Sequence, residues 1–87
     1  MRHARDSALD ALEDVLSALR ALEGLTERKR GAFYRKSAGF LHFHEDPAGL
    51  FADLKVGGEW ERFRVSTPEE QRVLLARVTA LLEESRS

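Results

Sequence analysis

The sequence predicts an α+β fold: an α-β-β-β-β-α two-layer sandwich in which a four-stranded antiparallel meander carries both helices on one face. Three observations lead there. An N-terminal stretch repeats apolar residues every three or four positions. A C-terminal stretch does the same after a helix-start signal, and the segment between them alternates apolar and polar residues in short runs divided by turn residues. The 87 residues suit one domain, spanning 1–87, with a single sheet covered by one layer of helix.

The first helix is expected over about 7–23, because Ala8, Leu9, Leu12, Val15, Leu16, Leu19 and Leu22 fall on one face. Asp6 or Ser7 can cap it by accepting from free backbone N–H groups, and Gly24 suits a left-handed residue past its end. Its other side holds Asp6, Asp10, Glu13 and Asp14, where the helix dipole favours negative charge. Strands are expected at about 31–36, 40–45, 50–56 and 59–65. Their joints are Ser37-Ala38-Gly39, Asp46-Pro47-Ala48-Gly49 and the two-residue turn Gly57-Gly58. The run "STPEEQ" opens a second helix, expected over about 68–84, with Ser66 or Thr67 as cap and Pro68 in the first position. Leu74, Leu75, Val78, Leu81 and Leu82 form its apolar face.

Composition removes several classes of function. With no cysteine, there is no disulfide, thiolate nucleophile, iron–sulfur cluster or Cys-type zinc site. The start "MRHARDSALDALEDVL" carries acids and no uninterrupted apolar core, so it reads as neither a signal peptide nor a membrane span, and cytoplasm is the expected location. A formal net charge of −1 argues against a protein devoted to nucleic acid, although residues 25–65 hold more Lys and Arg than Asp and Glu. No phosphate-binding glycine loop, nucleophile elbow or His-Glu-x-x-His motif is present, and a catalytic role is not expected.

Register follows from the turns, since a tight loop fixes which residues oppose one another. A turn at Asp46–Gly49 sets Glu45 against Leu50, His44 against Phe51 and His42 against Asp53. A turn at Gly57-Gly58 sets Val56 against Glu59, Lys55 against Trp60, Asp53 against Arg62 and Phe51 against Arg64. Alternation then gives a core face of Phe33, Leu41, Phe43, Leu50, Ala52, Leu54, Val56, Phe63 and Val65. The outer face collects Tyr34, Lys36, Phe40, His42, His44, Phe51, Asp53, Lys55, Trp60, Arg62 and Arg64. Aromatic residues clustered among cations on an outer sheet face have the composition of an interface, so the expected partner is protein, as a homodimer or a different chain.

Two other chemistries fit the same face. His42 and His44 point the same way on one strand, and Asp53 across from His42 would complete two imidazoles and a carboxylate, a ligand set for zinc or iron. Against this stands an ion pair between Asp53 and Arg62 across neighbouring strands. No cofactor is otherwise expected. Aromatics interleaved with Arg and Lys, approached by the basic run "TERKRGAFYRK", also suit single-stranded nucleic acid, by base stacking and phosphate neutralisation.

The run "GAFYRKSAGFLHFHEDPAGLFADLK" followed by "ERFRVSTPEEQRVLLARV" resembles a group of short bacterial proteins of unknown function that share the Phe-Leu-His-Phe-His-Glu-Asp core, over about residues 19–78. That resemblance implies no activity and transfers no site. In layout the expected architecture is similar to frataxin and to the small YjbR-like proteins. Asp10, Glu13 and Asp14 with an exposed Trp60 resemble frataxin's acidic ridge and sheet tryptophan, which would imply iron delivery.

Overall fold

The computed structural model describes residues 2–84. In chain order the elements are β1 (Arg2–His3), α1 (Asp6–Ala11), α2 (Glu13–Arg20), β2 (Thr26–Lys29), β3 (Ala32–Arg35), β4 (Ala38–Asp46), β5 (Gly49–Val56), β6 (Glu59–Arg64) and α3 (Pro68–Glu84). The chain is α+β, with an antiparallel sheet in the order β2-β3-β4-β5-β6 and β1 added against β4. The expected four strands therefore become six. Neither β1 nor β2 has an apolar alternation to announce it: "TERK" forms an edge because β3 offers its free backbone groups, with Thr26 opposite Tyr34 and Glu27 opposite Phe33. Glu27 also ties this edge to the helices, accepting from Arg20 of α2 and from the backbone N–H of Gly31.

The expected first helix is two helices. Leu12, fully buried at φ −101° and ψ 8°, leaves helical geometry and separates α1 from α2. The second piece ends at Arg20, three residues early, as Ala21 and Leu22 turn to tighter bonds from their N–H groups to Ala18 and Leu19. No side chain caps α1: Arg5 occupies the cap position and its backbone N–H donates to Glu45 Oε2 at 2.8 Å, so neither Asp6 nor Ser7 has the expected role. At α3 the capping box is complete, since Thr67 Oγ1 accepts from Glu70 N–H while Glu70 Oε1 accepts from Thr67 N–H.

The hairpins β4–β5 and β5–β6 have the register expected from their turns, running from Glu45–Leu50 to Leu41–Leu54 and from Phe51–Arg64 to Val56–Glu59. Gly57 and Gly58, at φ +59° and +86°, supply the left-handed pair that a two-residue hairpin turn needs. Asp46 Oδ1 accepts from Ala48 N–H at 2.7 Å and so closes the other turn. The β3–β4 joint differs from expectation. Lys36 and Ser37, at φ +52° and +69°, form the turn, and Arg35 opposes Ala38.

A bulge follows in β4. Phe33 opposes Leu41 but Tyr34 opposes Gly39, which leaves Phe40 as the extra residue. Phe40 is 5% exposed and joins the same buried cluster as Leu41 and Phe43. That cluster combines Leu9, Leu12, Val15, Leu16 and Leu19 of the N-terminal helices, Phe33, Leu41, Phe43, Ala52 and Leu54 of the sheet, Val65, and Leu74, Val78 and Leu82 of α3. Each such leucine withdrawn from water contributes about 2 kcal/mol, so the stability of the chain lies in this seam between helices and sheet.

Candidate interaction face and histidine cluster

The side of the sheet turned away from this core is built mainly by β4, β5 and β6. Strand alternation puts His42 and His44 of β4 there, with Phe51, Asp53 and Lys55 of β5 and Trp60, Arg62 and Arg64 of β6. Tyr34 of β3 lies beside Gly39 on the same side, half-buried, with the Arg28 guanidinium 4.6 Å above its ring. Two of the expected residues are elsewhere. Lys36 sits in the β3–β4 turn, off the strand pleat, and the bulge turns Phe40 into the core.

The aromatic surface is accordingly smaller than alternation implies. Phe51 is only 8% exposed, its ring covered by the Arg64 guanidinium at 5.1 Å. Trp60, at 48%, is the one exposed large aromatic among the described residues. Its ring lies 5.0 Å from the His42 ring, and Lys55 Nζ stands 5.5 Å from its centroid. Gly39 lies under this packing: a Cβ there would press on His42 Nε2 at 3.3 Å and touch the Trp60 ring at 3.9 Å.

Asp53 is the electrostatic hub. Arg62 grips it bidentately, Nε to Oδ1 at 2.8 Å and the terminal nitrogen to Oδ2 at 3.0 Å, and His44 Nε2 stands 3.0 Å from the same Oδ2. The Arg62 hydrogen bonds hold the Asp53 carboxyl below the usual carboxylate range against the opposing effect of burial, and Asp53 in turn raises Arg62. Asp53 opposes His42 across the ladder, yet its side chain reaches the diagonal neighbour His44 instead. His42 is held below the usual imidazole range, first by burial and then by the charges of His3 and His44.

The third histidine joins this group. Strand β1 pairs His3 with His44, and the three rings form a triangle: His3–His44 at 5.0 Å, His3–His42 at 6.1 Å and His42–His44 at 6.5 Å between centroids. Beside them a cavity of about 330 Å³ opens where β1 and β3 meet the same edge of β4. Its lining includes His3, His42, Tyr34 and Lys29 over Leu9 and Phe43. Among the described residues, no group of three His, Asp or Glu side chains is placed to hold a metal ion. For the set His42, His44 and Asp53 the reason is plain, since both Asp53 oxygens are already occupied.

The acidic stripe of the N-terminal helices is likewise engaged. Arg30 reaches Asp10 Oδ1 at 2.8 Å and Glu13 Oε1 at 2.9 Å, while Arg20 reaches Glu13 Oε2 at 2.7 Å. The two guanidinium groups hold Glu13 below the usual carboxylate range.

His3, Arg28 and Gly39 escaped sequence reasoning. His3 lies in a two-residue strand with no pattern of its own, and the only sequence signal was that the chain has a histidine besides the pair in β4. Arg28 lies in the all-polar β2, and Gly39 looked like a turn residue until the bulge moved the turn. No protein-family model matches the chain, and no curated protein and no solved structure matches it significantly. Among the described residues no helix is long and apolar enough to cross a membrane.

Proposed function

We propose that the chain is a non-catalytic interaction module of the cytoplasm, a two-layer sandwich with its helices on one face of the sheet. It meets a protein partner, in the first place a second copy of itself, through the other face around Trp60. The observation that carries this reading is the 48% exposure of Trp60, on the edge strand β6, in a patch whose other large apolar side chains are covered. A rigid ring with cations on its rim, here Lys55 and Arg62, has the makeup of an interface hot spot, and a two-fold axis would bury two such rings against each other. Trp60→Glu tests it. The wild-type chain is expected to sediment as a dimer and the variant as a folded monomer; a wild-type chain that is monomeric at every concentration contradicts self-association, and an unchanged mass in the variant contradicts the role of Trp60.

Single-stranded nucleic acid is a second reading, supported by the cations Arg28, Lys55, Arg62 and Arg64 around Trp60 and Tyr34. It ranks lower because Phe40 and Phe51 are withdrawn as stacking platforms and Asp53 neutralises Arg62. Iron delivery through the acidic stripe ranks lower still, with Asp10 and Glu13 held by arginines.

A further inference from the structure

We propose that His3, His42 and His44 form a three-imidazole site for a late first-row divalent ion, zinc in the first place, with Asp53 orienting His44 rather than ligating. The proposal is independent of the docking role of Trp60, although the two share a face.

Convergence is the first argument. The chain has only three histidines, they come from two strands separated by most of the N-terminal half, and pairing of β1 with β4 brings all three to one side of one sheet. Three imidazoles on one tetrahedral ion, with metal–nitrogen bonds of about 2 Å, have ring centroids roughly 5 Å apart. The His3–His44 pair is there at 5.0 Å, whereas the pairs at 6.1 and 6.5 Å must close by about 1 Å. The rings as placed are therefore a precursor, in keeping with the lack of a ready-made metal group.

That closure gives up the packing of the His42 ring on Trp60 but no hydrogen bond. His3 is exposed, and no hydrogen bond to another described residue engages the ring nitrogens of His3 or His42, so their lone pairs are free and turning the rings breaks no protein bond. His42 presently turns its Nε2 edge toward Gly39, and it would join through Nδ1 or by a change of rotamer.

His44 is prepared differently. With Nε2 beside Asp53 Oδ2, its proton is drawn to that nitrogen and Nδ1 is left as the donor to a metal. A carboxylate behind a ligating imidazole is the usual way in which ring orientation and basicity are set, and Arg62 fixes the carboxylate in turn. Neutral nitrogen donors suit zinc over magnesium or calcium, which need oxygen. The adjoining cavity leaves a fourth coordination position accessible to water or a small ligand.

The test uses the full chain with zinc chloride, followed by calorimetry and by the imidazole proton resonances, which are simple to assign with three histidines. Expected is one zinc per chain with half-saturation below about 100 µM, all three imidazoles shifting together, and at least about a tenfold loss of affinity in each of His3→Ala, His42→Ala and His44→Ala. His3→Ala decides, because His3 lies exposed in a two-residue strand outside the core, and an unchanged thermal unfolding midpoint separates lost affinity from misfolding. No binding at millimolar zinc, or binding that His3→Ala leaves unchanged, overturns the site. His3→Ala also provides the separation from the docking reading, since its ring contacts are with His42 and His44 and not with Trp60: it is expected to lose zinc affinity while the sedimenting mass stays that of the wild-type chain, and loss of the dimer together with the zinc would overturn a site formed within one chain.

Discussion

The two halves of the sheet were built under different rules. From Leu41 of β4 to Arg64 of β6, two short turns with suitable residues carry one register without interruption, and the side chains lie on the faces that alternation assigns. From β4 back to β2 and β1, the register breaks at Phe33/Tyr34 and again at Glu27/Lys29, and the strands are two to four residues long. A tight turn transmits register because it fixes backbone geometry within a few residues; a bulge resets it, and one extra residue inverts the side chains beyond. The histidine cluster and the cavity lie on the seam between the two regimes.

The largest effect expected from this contrast separates two aromatics that alternation alone would treat alike. Phe40→Ala should cost about 3 kcal/mol in urea unfolding, because the bulge commits that ring to the core, whereas Trp60→Ala should cost less than about 1 kcal/mol in the monomer. Equal losses would mean that the bulge does not turn Phe40 inward.

The turns provide a smaller effect of opposite sign. Ser37 holds a left-handed φ of +69° without being glycine, so Ser37→Gly should stabilise the chain by about 0.5 kcal/mol, while Gly58→Ala, at +86°, should destabilise it by about 1 kcal/mol. A loss in Ser37→Gly would place the turn elsewhere and restore the joint at residues 37–39.

The smallest effect is a pH dependence at the seam. His42 titrates lower in the folded chain than its ordinary 6.5, so the unfolded chain takes up the proton first. Its contribution is complete above pH 6.5 and is lost as pH falls from there toward the folded value, below which it no longer changes. Asp53 acts in the same direction at more acid pH, from its ordinary 3.8 downward. His42→Gln should flatten the slope of stability between pH 6.5 and the folded value, and a slope that survives this change would assign it to other groups.

Much of the candidate face was legible because it belongs to the well-phased half. His42, His44, Phe51, Asp53, Lys55, Trp60, Arg62 and Arg64 follow from two turns and a period of two. What was not legible involves residues whose placement depends on a partner distant in the chain. His3 reaches His44 only because β4 leaves part of one edge free beyond β3, and Arg28 reaches Tyr34 only because an all-polar segment pairs with β3.

By itself the sequence determined the α+β class, the apolar faces of the helices, the capping box of α3 and the pairing from β4 to β6, because each depends on contacts within a few residues or on one tight turn. Only the tertiary structure decided the break at Leu12, the inward turn of Phe40, the two added strands and the meeting of three histidines. Those depend on where the buried core and a free strand edge lie once the chain has closed, and no local period encodes either.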